Sequence, residues 1–134
     1  MYDEKGKGAS ARVLVAEDEA VVAKLLNKIL TREGYEVELA VNGQEAMDKA
    51  ASFKPDLIIM DIDMPKLNGY EAAAKIKESP ELKDIPIVFL SGKAPNEDGG
   101  RAFCSGGLTY VCKPFTNWQI TDLVNLTLQA VGKV

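Results

Sequence analysis

The chain has 134 residues, enough for one hydrophobic core and one domain. Its formal net charge of −4, with no basic stripe, argues against a nucleic-acid binder. No run approaches the roughly eighteen apolar residues of a membrane span, and the absence of any histidine leaves carboxylates, Lys, Ser/Thr or Cys to carry chemistry.

Residues 1–10 (MYDEKGKGAS) are polar and aperiodic, and read as a flexible leader rather than a signal peptide, with a single domain over 11–134. Arg12–Ala16 reads as the first strand. A helix over about Glu19–Arg32 follows, with Val21, Val22, Leu25, Leu26, Ile29 and Leu30 on its buried stripe and Gly34 as its stop. Glu36–Ala40 alternates as a strand nearer a sheet edge does. Asn42-Gly43 forms a turn into a short helix, Gln44–Ala51. Pro55-Asp56 restarts the chain into Leu57–Asp61, and Asn68 caps a helix over Tyr70–Lys77 that Ser79-Pro80 ends. Pro86–Ser91 is the fourth strand. Ala94–Gly107 should hold the fourth helix, although Gly99, Gly100, Gly106 and Gly107 weaken it. Thr109–Cys112 is the fifth strand, and a last helix runs from Thr116 or Asn117 to about Val131. Cys104 and Cys112 are too few for a disulfide framework. Cys112 reads as a small buried residue, and a reduced, cytoplasmic setting is the default. Five strands alternating with helices describe an α/β fold, a doubly wound five-stranded parallel sheet flanked by helices.

Such folds bind ligands at the carboxyl ends of their strands. The apolar runs Val13–Ala16, Leu57–Met60, Ile87–Leu90 and Tyr110–Cys112 end in Glu17-Asp18, Asp61, Ser91 and Lys113-Pro114. Side by side, these strand ends would gather three carboxylates, a hydroxyl and an ammonium. Clustered carboxylates repel one another, and a divalent cation relieves the conflict. Mg²⁺ takes one or two carboxylates, waters and a phosphate oxygen, and the backbone carbonyl of Asp63 could complete its shell. Lys113 could neutralise a phosphoryl group on Asp61, while Ser91 and the backbone N–H groups around Gly92 donate to it. Asp61 is already an anion at neutral pH and needs no base to attack phosphorus. The makeup therefore points to phosphoryl transfer onto a carboxylate. Each residue alone has an ordinary explanation: a solvated strand-end acid, a Ser-Gly turn, or a rigid Lys-Pro turn whose bond at Pro114 could be cis. Four strand ends with fitting groups are harder to explain that way.

The segments V-L-V-A-E-D-E, D-L-I-I-M-D-I-D-M-P-K-L-N-G-Y-E, I-P-I-V-F-L-S-G and Y-V-C-K-P-F, spread from Arg12 to about Ala130, closely resemble the receiver (CheY-like) domain of bacterial two-component response regulators. The resemblance implies a flavodoxin-like sheet of order 2-1-3-4-5. It implies Asp61 as phospho-acceptor, Glu17 and Asp18 as the acidic pair holding Mg²⁺, Ser91 as the switch hydroxyl, Lys113 as the family's lysine and Tyr110 as the aromatic switch. It also implies a donor histidine on a sensor histidine kinase or histidine phosphotransfer domain. An output partner or output domain would read the face formed by the fourth helix, fifth strand and last helix. The chain's own catalysis would be limited to taking the phosphoryl group and slowly losing it.

Three departures stand out. The glycine-rich fourth helix should be short or mobile. The last helix carries one charged side chain, Asp122, too few for a charge-paired dimer. Lys93 and Asp63 flank the site and could alter water access. Two other readings compete. A phosphorylation-independent protein–protein adaptor of the same fold would be expected to lose the acceptor or the lysine, and both are present. A metal-dependent phosphatase needs a substrate cap, and no insertion between strands supplies one.

Overall fold

The structure is a computed structural model that describes residues 11–92 and 109–132. Nine elements alternate along it: β1 (Arg12–Ala16), α1 (Ala20–Arg32), β2 (Glu36–Ala40), α2 (Gly43–Phe53), β3 (Leu57–Asp61), α3 (Gly69–Lys77), β4 (Ile87–Ser91), β5 (Thr109–Cys112) and α4 (Asn117–Ala130). The helix expected over Ala94–Gly107, together with Lys93, Cys104 and the leader, lies outside the described residues. No helix among the described residues is long and apolar enough to cross a membrane.

The five strands form one parallel sheet in the order β2-β1-β3-β4-β5, as the resemblance implied. The chain winds from β1 outward to β2, then returns through α2 to β3 on the other side of β1. The connections leaving β1 and β3 therefore part at their carboxyl ends and open a crevice there. Successive side chains point to opposite faces, so β1, β3 and β4 fill two cores at once. Leu14, Ala16, Ile58, Met60 and Phe89 pack under Ala46, Ala50, Tyr70, Ala73 and Ile76 of α2 and α3. Val13, Val15, Leu57, Ile59, Val88 and Leu90 pack under Leu26, Ile29 and Leu30 of α1 and Ile120, Val124 and Leu128 of α4. Burial on both faces is why these strands are continuous apolar runs, while edge strand β2 alternates.

Helix starts follow local chemistry. Asn42 accepts from the Glu45 N–H, whereas Asn68 with Glu71 and Thr116 with Gln119 form reciprocal capping boxes. At the end of α1 the chain turns through Gly34 at φ 91°. α2 runs past the expected Ala51 to Phe53 and closes at Lys54 in the left-handed region. Two expectations are corrected. Val21 and Leu25, expected on the buried stripe of α1, are 81% and 41% exposed. The face meeting the sheet is centred on Leu26, Ile29 and Leu30, and Val21 and Leu25 share a flank one turn apart, beside it. Cys112, expected in the core, is half-buried because it lies on edge strand β5.

Two glycines hold the loops around the crevice by close approach. A Cβ at Gly43 would fall 2.0 Å from the Leu67 carbonyl oxygen, and one at Gly69 would fall 2.4 Å from that of Asp61. The Gly69 N–H donates to the Ile62 carbonyl at 2.9 Å, and the Ile62 N–H donates to Leu90 at 3.0 Å, so the chain just after Asp61 is held on two sides. Gly43→Ala and Gly69→Ala should each lower stability by about 2–3 kcal/mol in denaturant titrations, because a backbone clash outweighs alanine's better helix propensity. A neutral Gly69→Ala would contradict the described contact between α3 and the Asp61 carbonyl.

Candidate functional site

At the end of β1 the Glu17 N–H donates to Ala40 at 2.9 Å, which carries the sheet one residue past Ala16 and leaves Glu17 almost wholly buried. Its Oε2 accepts from the Glu19 N–H at 3.2 Å. Asp18 and Glu19 are exposed where the chain turns into α1. Asp61 ends β3, also buried. One carboxylate oxygen from each of Glu17, Asp18 and Asp61 lies within 4.8 Å of the others, a grouping that could hold a divalent cation.

Lys113 enters from the end of β5. Its backbone N–H donates to the Ser91 carbonyl at 2.7 Å, and its peptide bond to Pro114 is cis. From there the ammonium meets three acids. Nζ lies 3.0 Å from Glu17 Oε1, 3.3 Å from Asp61 Oδ1 and 3.5 Å from Glu19 Oε1. The contact with Asp61 is a hydrogen bond that Lys113 donates. The contact with Glu17 is an ion pair without that alignment, leaving Glu17 Oε1 buried and short of a hydrogen-bond donor.

Electrostatics follow from this crowding. Burial, then the charge of Glu17 and a hydrogen bond with it, push the Asp61 carboxyl up to about 7, against the opposing pull of Lys113. Burial works to lower the Lys113 pKa, but Glu17 and Asp61 outweigh it and hold the ammonium above its ordinary value. One lysine cannot satisfy all the acids around it, and Asp61, expected to be fully ionised at neutral pH, is only partly so in the metal-free crevice.

The crevice thus brings together Glu17, Asp18, Asp61 and Lys113. Ser91 is buried at the end of β4 and pairs in register with Cys112, the residue before Lys113. Gly92 follows it with open space where a Cβ would stand. Tyr110 is half-buried, opposite Phe89 in the sheet and against the core beneath α3. Asp63 is exposed in the loop after β3. The residue that sequence reasoning missed is Glu19. The sequence places it at the start of α1, and the acidic run Glu17-Asp18-Glu19 with the poor capping ability of Glu is the signal that could have found it.

The family model of the response regulator receiver domain matches residues 13–125. The transcriptional regulatory protein PdtaR of Mycobacterium tuberculosis is 41% identical over 123 residues, covering 91% of this chain and 57% of PdtaR. The chemotaxis protein CheY of Treponema pallidum is 36% identical over 129 residues, covering 94% of this chain and 88% of CheY. The chain spans about half the length of the curated transcriptional regulators it matches, 57% in PdtaR and 48% in PhoP of Bacillus subtilis. Among solved structures, the receiver domain of sensor histidine kinase PA1611 from Pseudomonas aeruginosa, with a magnesium ion coordinated in its active-site cleft, superposes with a TM-score of 0.81 at 28% identity. That comparison covers 88% of this chain and 97% of the other. With the match running from the first strand into the last helix, the chain belongs to the response regulator receiver domain family.

Proposed function

We propose that this chain is a phosphorylation-controlled signalling receiver in which Asp61 takes a phosphoryl group from a phosphohistidine on a sensor kinase or phosphotransfer domain. The observation that carries this reading is a buried Asp61 carboxylate flanked by two further acids and bonded to the Lys113 ammonium at the switch point of the sheet. In the transfer, an Asp61 carboxylate oxygen attacks phosphorus as the phosphorus–nitrogen bond breaks, and the electron pair leaves with the donor imidazole. The product is an acyl phosphate on Asp61. Lys113 would pair with its oxygens, and the Ser91 hydroxyl and the Gly92 N–H would donate to others. Movement of Ser91 toward the new group would leave room for Tyr110 to rotate, which would change the face carrying β5 for an output partner.

The residues fit a magnesium ion. Glu17 Oε1 is buried and short of a donor, and the three acids outnumber the one ammonium. Glu17, Asp18, Asp61 and the Asp63 carbonyl would hold the cation, and the magnesium coordinated in the active-site cleft of the PA1611 receiver favours a metal in this crevice. When bound it supplies positive charge that offsets the carboxylates and the incoming phosphoryl oxygens. A macromolecular donor is supported by the exposed, apolar Val21 and Leu25 just beyond Glu19 on α1. A cytoplasmic setting, where sensor kinases present their phosphohistidines, accords with this reading.

Incubation with Mg²⁺ and acetyl phosphate should add one phosphoryl group to the wild type and none to Asp61→Asn in intact mass spectra. Equal labelling of both would remove Asp61 as acceptor. Lys113→Ala should keep its Mg²⁺ affinity within a fewfold, yet lose the amide shift changes at Ser91 and Tyr110 on labelling. Unchanged switching there would count against the lysine's role.

A pH test follows from Asp61. Its folded pKa of about 7 exceeds its ordinary value of 3.8, so the fold favours the neutral acid. The stability this gives is present below about pH 4 and is lost as pH rises through 7. In chelator at pH 8, Asp61→Asn should therefore be more stable than the wild type by about 1–3 kcal/mol, and millimolar Mg²⁺ should narrow the gap. A wild type more stable than the variant in chelator would show that the crowding is relieved in some other way.

A further inference from the structure

We propose that Glu19 is a positioning residue that restrains Lys113 in the unphosphorylated protein and competes with the phosphoryl group for it. The proposal deepens the reading of Asp61 as acceptor and rests on it. Of the three acids around the ammonium, Glu17 and Asp61 are buried, whereas the Glu19 side chain is 64% exposed. Glu19 therefore faces Lys113 from the solvent side, and it is the partner that can let go without exposing or stranding a buried charge.

A second observation shows that this carboxylate does not cap its own helix. Glu19 occupies the N-cap of α1, yet its side chain makes no capping hydrogen bond. Among the described residues, the other three helices are each capped by the side chain of the equivalent residue. At α1 the Glu19 N–H is served instead by Glu17 Oε2, and the Glu19 carboxylate is turned to Lys113. Asn, Asp, Ser or Thr at this position would cap the helix better, so Glu sacrifices helix stability for its contact with the ammonium.

The consequence is electrostatic. A phosphoryl group arriving at Asp61 needs Lys113 and is repelled by the Glu19 charge. Removing that charge should take away one of the three acids holding the ammonium, lower the repulsion of the incoming group and favour the phosphorylated form. Because Glu19 is exposed, the effect should be screened by salt.

Two variants separate this role from a structural one. Glu19→Gln removes the charge and leaves the helix start without a cap, whereas Glu19→Ser removes the charge and adds a capping hydroxyl. With Mg²⁺ and acetyl phosphate at low ionic strength, both should label about two- to fivefold faster than the wild type. At about 0.5 M salt the difference should shrink toward unity. Melting temperature should be unchanged in Glu19→Gln and equal or higher in Glu19→Ser. The carbon and proton resonances of the Lys113 Cε methylene should shift in both. Labelling at or below the wild-type rate, rates that track melting temperature rather than charge, or an unshifted Lys113 resonance would each overturn the proposal. A wild type that takes no phosphoryl group would instead defeat the reading of Asp61 itself, and the Asp61→Asn control identifies that case.

Discussion

One ammonium shared among three carboxylates is the constraint around which this molecule is arranged. Lys113 touches Glu17, Asp61 and Glu19 at 3.0–3.5 Å, and Asp18 is grouped with Glu17 and Asp61. Two of those acids are buried, where unpaired charge costs most. The arrangement is strained electrostatically, and Asp61 records this in a carboxyl pushed up to about 7. Such a site is held by the fold around it and not by its own attraction. The two apolar cores and the backbone contacts at Gly43 and Gly69 supply that hold.

Much of this was legible from the residue order. β1, β3 and β4 announced themselves as apolar runs of four or five residues, because burial on both faces removes the polar alternation that would blur them. Their polar ends were equally plain, since a charged residue directly after four apolar ones marks where the strand stops, although Glu17 and Asp61 are themselves buried there. Asn68 and Thr116 could be read as helix starts because capping is a contact across three residues, whereas Asn42 read as part of a turn and proves to be a cap. The strand order is a different matter. No periodicity distinguishes 2-1-3-4-5 from other windings, and it entered only through the family resemblance.

What escaped sequence reasoning did so for identifiable reasons. Val21 and Leu25 have the spacing of a buried stripe, and only the position of the sheet beneath α1 shows that they lie on its flank. Gly43 and Gly69 look like turn punctuation, while their importance is a missing Cβ against backbone 24 and 8 residues away. Glu19 was hidden by its neighbours: after Glu17 and Asp18, a third acid passed as helix-start composition. Its partner sits 94 residues further on, and local patterns do not reach that far.

The bond from the Lys113 N–H to the Ser91 carbonyl gives the crevice a mechanical character. The hydroxyl-bearing end of β4 and the ammonium-bearing end of β5 are successive rungs of one ladder, joined where both strands stop. They form a single jaw, opposite the acids carried by β1 and β3. A displacement of the backbone at Ser91 therefore bears directly on the backbone at Lys113.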